Sequence, residues 1–125
     1  RWLPDLVAGK KLGAFALTEP EAGSDAGNVQ TRAVPTEDGT GYILNGEKRY
    51  ITNGGIADVL TVMARTPAPT KDNPNETKIT AFLVTPDMQG FEVIEKRAEK
   101  TGIRGTATGK LRFSNMRVPK ENILG

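Results

Sequence analysis

The chain has 125 residues, of which 37% are hydrophobic and 26% charged, a composition typical of a folded domain with one core and not of a disordered or collagen-like chain. It contains neither cysteine nor histidine, which excludes thiol chemistry, imidazole base catalysis and the common zinc ligand sets. The formal net charge is only +2 and the basic residues are scattered, which argues against nucleic acid as a partner.

The first predicted element is a short amphipathic helix within residues 1–12, which Gly9 ends. From Gly13 onward the hydrophobic period changes to two, and short runs are separated by clusters of Gly, Pro, Asn and Asp. This pattern predicts an antiparallel all-β domain of about seven strands, either a barrel or a sandwich. The predicted strands comprise residues 14–18, 29–34, 42–44, 47–51, 58–65, 78–85, 91–96 and 109–113.

The strands at 58–65 and 78–85 are the most continuously apolar, which predicts that they are central strands covered on both faces. The segment 66–77 between them combines three prolines with charged and amide residues, so it is predicted to be a surface loop without a function. In the last predicted strand, alternation places Leu111 and Phe113 inward.

Asn45-Gly46 gives the clearest local signal in the chain. Asn-Gly is the preferred pair at the centre of a type I′ turn, because both residues tolerate positive φ. It lies between two short alternating runs, 42–44 and 47–51. The sequence therefore predicts a tight β-hairpin with its turn at this pair.

Three loops are rich in small and hydrogen-bonding residues: 16–25, 50–55 and 100–108. Such loops allow a planar or phosphorylated ligand to approach the backbone, although each one alone is more typical of a turn. The first loop has neither the Lys-Ser/Thr end of a P-loop nor the spacing of a Rossmann fingerprint. Tyr50 can be a core aromatic or a flat surface for a ring system, and both interpretations remain open at this point.

Four motifs in order carry a resemblance to a known family, and they span nearly the whole chain. They are Ala16-Leu17-Thr18-Glu19-Pro20 through Gly23-Ser24-Asp25, Tyr50-Ile51-Thr52-Asn53-Gly54-Gly55, Lys100-Thr101-Gly102-Ile103-Arg104 and Val118-Pro119-Lys120-Glu121-Asn122-Ile123-Leu124-Gly125. Together they resemble the middle β-barrel domain of FAD-dependent acyl-CoA dehydrogenases, and details look closest to the very-long-chain branch. The resemblance implies a small antiparallel β-barrel at 13–125, preceded at 1–12 by the tail of a helical domain.

The resemblance also implies a set of site residues. Thr18 approaches the pyrimidine edge of the flavin, Ser24 lies by the pyrophosphate within reach of the acyl-CoA, and Thr52 lies near flavin N5. Tyr50 stands where the family usually has Trp, so it stacks on the flavin but covers less of it. The resemblance implies that Thr106 contacts CoA. The full cofactor set is Phe15, Ala16, Leu17, Thr18, Gly23, Ser24, Tyr50, Ile51 and Thr52, and the substrate set is Ser24 and Thr106.

The family reaction is α,β-dehydrogenation of an acyl-CoA to a trans-2-enoyl-CoA, with hydride transfer to flavin N5. The family's base is a Glu of a helical C-terminal region that this chain does not include. No catalytic residue is therefore assigned here, and Glu19 is interpreted as a loop residue. We expect the isolated chain to be inactive.

The implied partners are an acyl-CoA substrate, electron-transferring flavoprotein and further copies of the full-length protein as a homo-oligomer. No apolar run approaches the roughly 18 residues of a membrane span, so the expected location is the cytoplasm, or the mitochondrial matrix in a eukaryote. Two alternatives remain open: an oxygen-using flavoprotein on the same scaffold, such as an acyl-CoA oxidase or nitroalkane oxidase, and a non-catalytic β-barrel binding module.

Overall fold

A computed structural model describes residues 1–125 and contains one short helix and eight strands. No helix in it has the length and apolar character needed to cross a membrane. Two single-turn 3₁₀ helices, Ala26–Asn28 and Lys120–Asn122, connect strands. The main elements are α1 (Leu3–Val7), β1 (Gly13–Ala16), β2 (Arg32–Pro35), β3 (Gly41–Thr52), β4 (Val59–Pro67), β5 (Thr77–Val84), β6 (Phe91–Glu95), β7 (Thr108–Pro119) and β8 (Ile123–Leu124).

All eight strands belong to one sheet, in the order β6-β7-β3-β2-β4-β5-β8, and β1 pairs with β4 beside this path. The pairings are antiparallel except for β1 with β4 and β2 with β4, which are parallel. The all-β class and the short N-terminal helix are confirmed. The sheet does not close into a complete barrel, because its end strands β6 and β8 are short and do not pair with each other.

The core lies between the inward faces of the long strands β3, β4, β5 and β7. Fourteen buried hydrophobic residues form one cluster, which includes Phe82, Leu111 and Phe113. The inward placement predicted for Leu111 and Phe113 is confirmed, with 0% and 2% of their surface exposed. Tyr42 packs edge-on against Phe82 with ring centroids 5.2 Å apart. This cluster holds the strands whose ends form the candidate site.

The predicted hairpin at Asn45-Gly46 is wrong. Both residues lie inside β3, which runs without a turn from Gly41 to Thr52. The pairing with β7 shifts register between Leu44 and Gly46, and the Asn45 side chain exchanges hydrogen bonds with Asn115 across this bulge. A Cβ at Gly46 would lie 2.7 Å from the Cα of Thr31. Glycine is therefore required at position 46 because two chain segments approach each other closely there. A tight turn and a close approach both favour glycine, so the residue type alone does not distinguish them.

The surface loop predicted at 66–77 is confirmed for its middle part but is wrong at its ends, because the strand pairing of β4 with β5 extends into them and Thr66 is buried. β4 extends through Pro67 and β5 begins at Thr77, and residues 69–76 between them are exposed. A two-residue strand, β8, pairs with β5 and was not predicted, because so short a run has no periodicity.

Candidate functional site

β1 and the second half of β3 lie side by side without a ladder of hydrogen bonds between them, and we call this place the β1–β3 gap. β1 pairs only with β4, while β3 pairs with β2 only over residues 42–45. Between Gly46 and Thr52, β3 pairs only with β7. One backbone hydrogen bond crosses the gap, from Arg49 N–H to the Thr18 carbonyl at 2.8 Å. β1 and this half of β3 are thus joined by one main-chain hydrogen bond and not by a hydrogen-bonded ladder.

A buried ion pair lies beside this gap. Lys48 Nζ is 2.8 Å from Glu19 Oε1, with 0% and 2% of the two side chains exposed. The same ammonium donates to the Leu17 carbonyl at 3.0 Å. The Glu19 carboxylate also accepts the backbone N–H groups of Gln30 at 2.5 Å and Thr31 at 3.0 Å. Glu19 therefore joins the two ends of residues 19–31, which we call the Glu19 loop.

The electrostatics of this pair exclude Glu19 as a catalytic base. Burial raises the pKa of Glu19, but the hydrogen bonds from Lys48 and from the backbone outweigh it, so the pKa lies below its usual value. Burial lowers the pKa of Lys48, and the bond to Glu19 opposes this effect without cancelling it. A buried carboxylate with both oxygens already hydrogen-bonded is poorly suited to accept a substrate proton. The prediction that Glu19 is a loop residue agrees with this geometry.

Tyr50 lies at the surface and in an unusual backbone conformation. Its side chain is 61% exposed and its φ is +58°, at the point where the pairing of β3 with β7 shifts register between Lys48 and Ile51. The Arg49 guanidinium lies 4.6 Å from the centre of its ring. Exposure excludes the core interpretation of Tyr50. Positive φ in a bulky residue is strained, and such strain is concentrated at binding and catalytic sites.

The hydroxyl groups of the predicted site residues differ in whether they are already hydrogen-bonded. Thr18 is half-buried, Thr52 and Ser24 are exposed, and none of the three hydroxyls hydrogen-bonds within the protein. Thr106 differs, because its hydroxyl donates to the Ile103 carbonyl at 2.8 Å and lies 2.7 Å from Lys100 Nζ. The hydroxyls of Thr18, Ser24 and Thr52 can therefore bind a ligand without breaking a hydrogen bond within the protein. The hydroxyl of Thr106 already takes part in two hydrogen bonds and has less capacity for a further one.

The other predicted residues differ in exposure. Ala16 and Ile51 are only 0% and 1% exposed, backbone included, and both belong to the core cluster, whereas Phe15 is 58% exposed. Leu17 is half-buried and offers its carbonyl to Lys48. A Cβ at Gly23 would meet no atom within 4 Å, so the fold itself does not require glycine there.

The loop that contains Thr106 adjoins the turn after β3. Asn53 N–H donates to the Ala107 carbonyl at 2.6 Å, and a Cβ at Gly55 would lie 2.8 Å from the Cα of Lys96. Within the loop, Lys100 donates to the hydroxyls of Thr106 and Thr108. The structure thus brings segments 15–18, 50–55 and 100–108 to one end of the sheet. Ser24 lies on the exposed part of the Glu19 loop.

Lys48 was not identified from the sequence as a residue of the candidate site. It occupies an inward position of β3, between the outward residues Glu47 and Arg49. A lysine on the inward face of a strand needs a buried anionic partner, and this requirement is the signal that could have identified it. Glu19 satisfies it from the preceding loop.

The fold and the gap together define an all-β domain with a candidate ligand site where two strands lie side by side without a ladder of hydrogen bonds. The chain belongs to the acyl-CoA dehydrogenase family, because the family model described as "Acyl-CoA dehydrogenase, middle domain" matches residues 14–116. This match confirms the resemblance recognised in the four motifs.

Relatives of known activity support the same assignment. The chain is 45% identical to the human mitochondrial very long-chain specific acyl-CoA dehydrogenase, and 47% identical to a short-chain specific acyl-CoA dehydrogenase of Megasphaera elsdenii. All of this chain is covered in both comparisons, but only 19% and 31% of the relatives. A crystal structure of an acyl-CoA dehydrogenase complexed with FAD from Bacillus anthracis matches 99% of this chain and 20% of its own, with a TM-score of 0.87 and 42% identity. The chain therefore spans less than a third of these relatives, and the very-long-chain and short-chain branches are about equally similar.

Proposed function

We propose that this chain is the FAD- and acyl-CoA-binding middle domain of an enzyme that dehydrogenates acyl-CoA thioesters between the α and β carbons. The observation that carries the proposal is the β1–β3 gap, with the exposed and strained Tyr50 at one side. FAD, when bound, supplies the acceptor for the hydride that leaves the β-carbon. This chain supplies the surface that holds and orients the cofactor.

The residues of the gap fit a flat ring system with a polar edge. Phe15 is exposed and Leu17 is half-buried beside the free hydroxyl of Thr18, and the buried Ala16 anchors this segment in the core. The exposed Tyr50 ring provides an aromatic face, and the buried Ile51 anchors the strand next to it. An isoalloxazine ring needs this combination of hydrogen-bonding groups at its edge and an apolar cover on its face.

The remaining candidate residues surround this centre. Thr52 has a free hydroxyl next to the aromatic face, in keeping with a position near flavin N5. Gly23 and Ser24 lie on the exposed part of the Glu19 loop, where an open glycine and a free hydroxyl suit the pyrophosphate and the acyl-CoA. Thr106 is proposed as a CoA contact from the adjoining loop.

The proton-abstracting carboxylate is proposed to lie outside residues 1–125. Glu19 is buried and paired with Lys48, and its pKa is lowered, so it cannot act as the base. The proposal therefore assigns binding and orientation to this chain, and proton abstraction to another part of the enzyme.

The assembly around the domain follows from the same proposal. Electron-transferring flavoprotein would accept the electrons from the full-length enzyme, which is proposed to be a homo-oligomer. Residues 1–12 form the end of a preceding helical domain and residues 13–125 form the middle domain. The enzyme works in the cytoplasm of a bacterium or in the mitochondrial matrix of a eukaryote.

The test is to express the full-length protein that carries this chain and to measure its FAD content and its reduction of a dye with acyl-CoA substrates. Thr18→Val and Thr52→Val each remove one hydroxyl that would bind FAD, and we expect each to weaken FAD binding by roughly 2- to 10-fold. Thr70→Val in the loop between β4 and β5 is the matched control and should leave FAD binding unchanged. A full-length protein that contains no flavin and binds none would refute the proposal.

A further inference from the structure

We propose that Lys48 is a positioning residue for the cofactor, which rests on the proposed function. It fixes the orientation of the peptides at the end of β1 and, through Glu19, closes the loop that contains Ser24. Lys48 itself is fully buried and would not touch the cofactor.

The first argument concerns the number of points at which β1 is held against β3. Arg49 N–H donates to the Thr18 carbonyl at 2.8 Å, and Lys48 Nζ donates to the neighbouring Leu17 carbonyl at 3.0 Å. Two adjacent residues of β3 thus hold two adjacent carbonyls, one through the main chain and one through a side chain. A single hydrogen bond would allow the segment to pivot about that bond. The second bond fixes the direction of the peptide planes, and with them the direction of the Thr18 side chain.

The second argument concerns the Glu19 loop. The carboxylate that pairs with Lys48 also accepts the N–H groups of Gln30 and Thr31, eleven and twelve residues further along the chain. The entry and the exit of the loop are therefore held by one side chain, and Lys48 holds that side chain against β3. Ser24 lies between these two ends, so its position depends on the same ion pair.

The third argument is that the stability of the fold does not by itself explain why a buried ion pair, and not an apolar pair, occupies this position. Burying two charges has a large desolvation cost, and replacing a buried ion pair by apolar residues is often neutral or stabilising. An apolar pair could fill the same space but could not hold the Leu17 carbonyl and the two N–H groups. The directional contacts distinguish Lys48 and Glu19 from an ordinary core pair.

The experiment compares variants of the full-length protein in three measurements: FAD affinity, flavin reduction potential and the thermal unfolding midpoint of the apoprotein. Lys48→Met and Glu19→Gln each remove one partner, and the double variant removes both charges without restoring the bond to the Leu17 carbonyl. Lys110→Met and Glu47→Gln are matched controls, because these residues form a partly exposed ion pair at 3.2 Å between β7 and β3.

We expect Lys48→Met and the double variant to weaken FAD binding by roughly 10- to 100-fold, the effect of one or two hydrogen bonds to FAD lost when the Leu17 and Thr18 peptides change orientation, and to shift the reduction potential. The double variant should recover much of the unfolding midpoint lost in the single variants, because no unpaired charge stays buried. The controls should stay within about twofold of the parent in FAD affinity.

The inference is overturned if the double variant recovers FAD affinity together with its unfolding midpoint, because the pair would then be purely structural. It is also overturned if Lys48→Met binds FAD as the controls do. Where Lys48→Met does not fold, Glu19→Gln and the double variant decide between these outcomes. A parent protein that binds no FAD instead refutes the proposed function, so the two failures are distinguishable.

Discussion

Glu19 couples the candidate site to pH at the scale of a single residue. Its pKa is lower in the folded protein than in the unfolded chain, because Lys48 and two backbone N–H groups bind the ionised form. The stabilisation is therefore complete above the unfolded value of about 4.5 and is lost as the pH falls through the folded value. Protonation of this one carboxylate weakens its bonds to Lys48, Gln30 and Thr31 together.

We expect the free energy of unfolding to fall less steeply in Glu19→Gln than in the parent as the pH is lowered from about 7 to about 3, because the variant has no carboxylate to protonate at this position. Urea unfolding followed by circular dichroism measures the difference. Glu21→Gln, in the same loop but exposed, should follow the parent. Parallel curves for the parent and Glu19→Gln would contradict this account.

Tyr50 combines a functional side chain with a strained backbone, and the two contributions can be separated. Tyr50→Ala and Tyr50→Gly both remove the ring, and we expect both to weaken FAD binding to a similar extent. Only glycine adopts positive φ without a steric cost, so Tyr50→Gly should be more stable than Tyr50→Ala by about 1 kcal/mol. Flavin titration and thermal unfolding check the two parts, and equal stability of the two variants would show that the strain is absent.

At the scale of elements, the turn after β3 is held against the end of β6 by backbone contact. A Cβ at Gly55 would lie 2.8 Å from the Cα of Lys96 and 2.9 Å from its carbonyl oxygen. Neither group is a flexible side-chain end, so one of the two segments must move when a side chain is added. The position of Tyr50 and Thr52 relative to the loop with Thr106 depends on this contact.

Gly55→Ala is therefore expected to destabilise the protein by about 1–3 kcal/mol and to weaken FAD binding. The control is Gly102→Ala, where an added Cβ meets no atom within 4 Å and φ is not positive. Thermal unfolding of the two variants checks the prediction. An unchanged unfolding midpoint in Gly55→Ala would show that the two segments separate without cost.

Some elements of the fold could be predicted from the sequence and others could not. Alternation and apolar runs predicted β4, β5 and the inward residues of β7, because those positions depend on burial alone. The Asn45-Gly46 hairpin was wrong, because glycine also serves where two segments approach closely, and only the tertiary structure distinguishes the two uses. The parallel pairings of β4 and the bond from Lys48 to the Leu17 carbonyl join distant segments, so no local pattern could predict them.

At the scale of the whole molecule, residues 1–125 form a hydrophobic core of their own, whereas the proposed site needs groups from outside these residues. Fourteen buried hydrophobic residues form one cluster, whereas large hydrophobic side chains outside it remain exposed. These exposed residues include Leu3, Val7, Phe15 and Ile103. A domain of a larger enzyme is expected to have such a surface where its neighbours pack.

The isolated chain of residues 1–125 is expected to bind FAD weakly at most and to show no dehydrogenase activity, because the proposed function places the base and much of the cofactor's surroundings outside these residues. Incubation with FAD, palmitoyl-CoA and an artificial electron acceptor measures this. The full-length protein under the same conditions is the positive control. Catalysed reduction of the dye by the isolated chain would show that the base lies within these residues.

The sparse hydrogen bonding between β1 and β3 gives the cofactor a role in stability as well as in chemistry. The main chains meet there in one hydrogen bond, from Arg49 to Thr18, so a ligand that binds this place only in the folded chain would stabilise a weakly joined part of the sheet. Binding energy is then also folding energy, and the stability of the domain rises with the concentration of its cofactor. In a cell, supply of the flavin's vitamin precursor would thereby influence how much of the enzyme survives, in addition to how much of it is active.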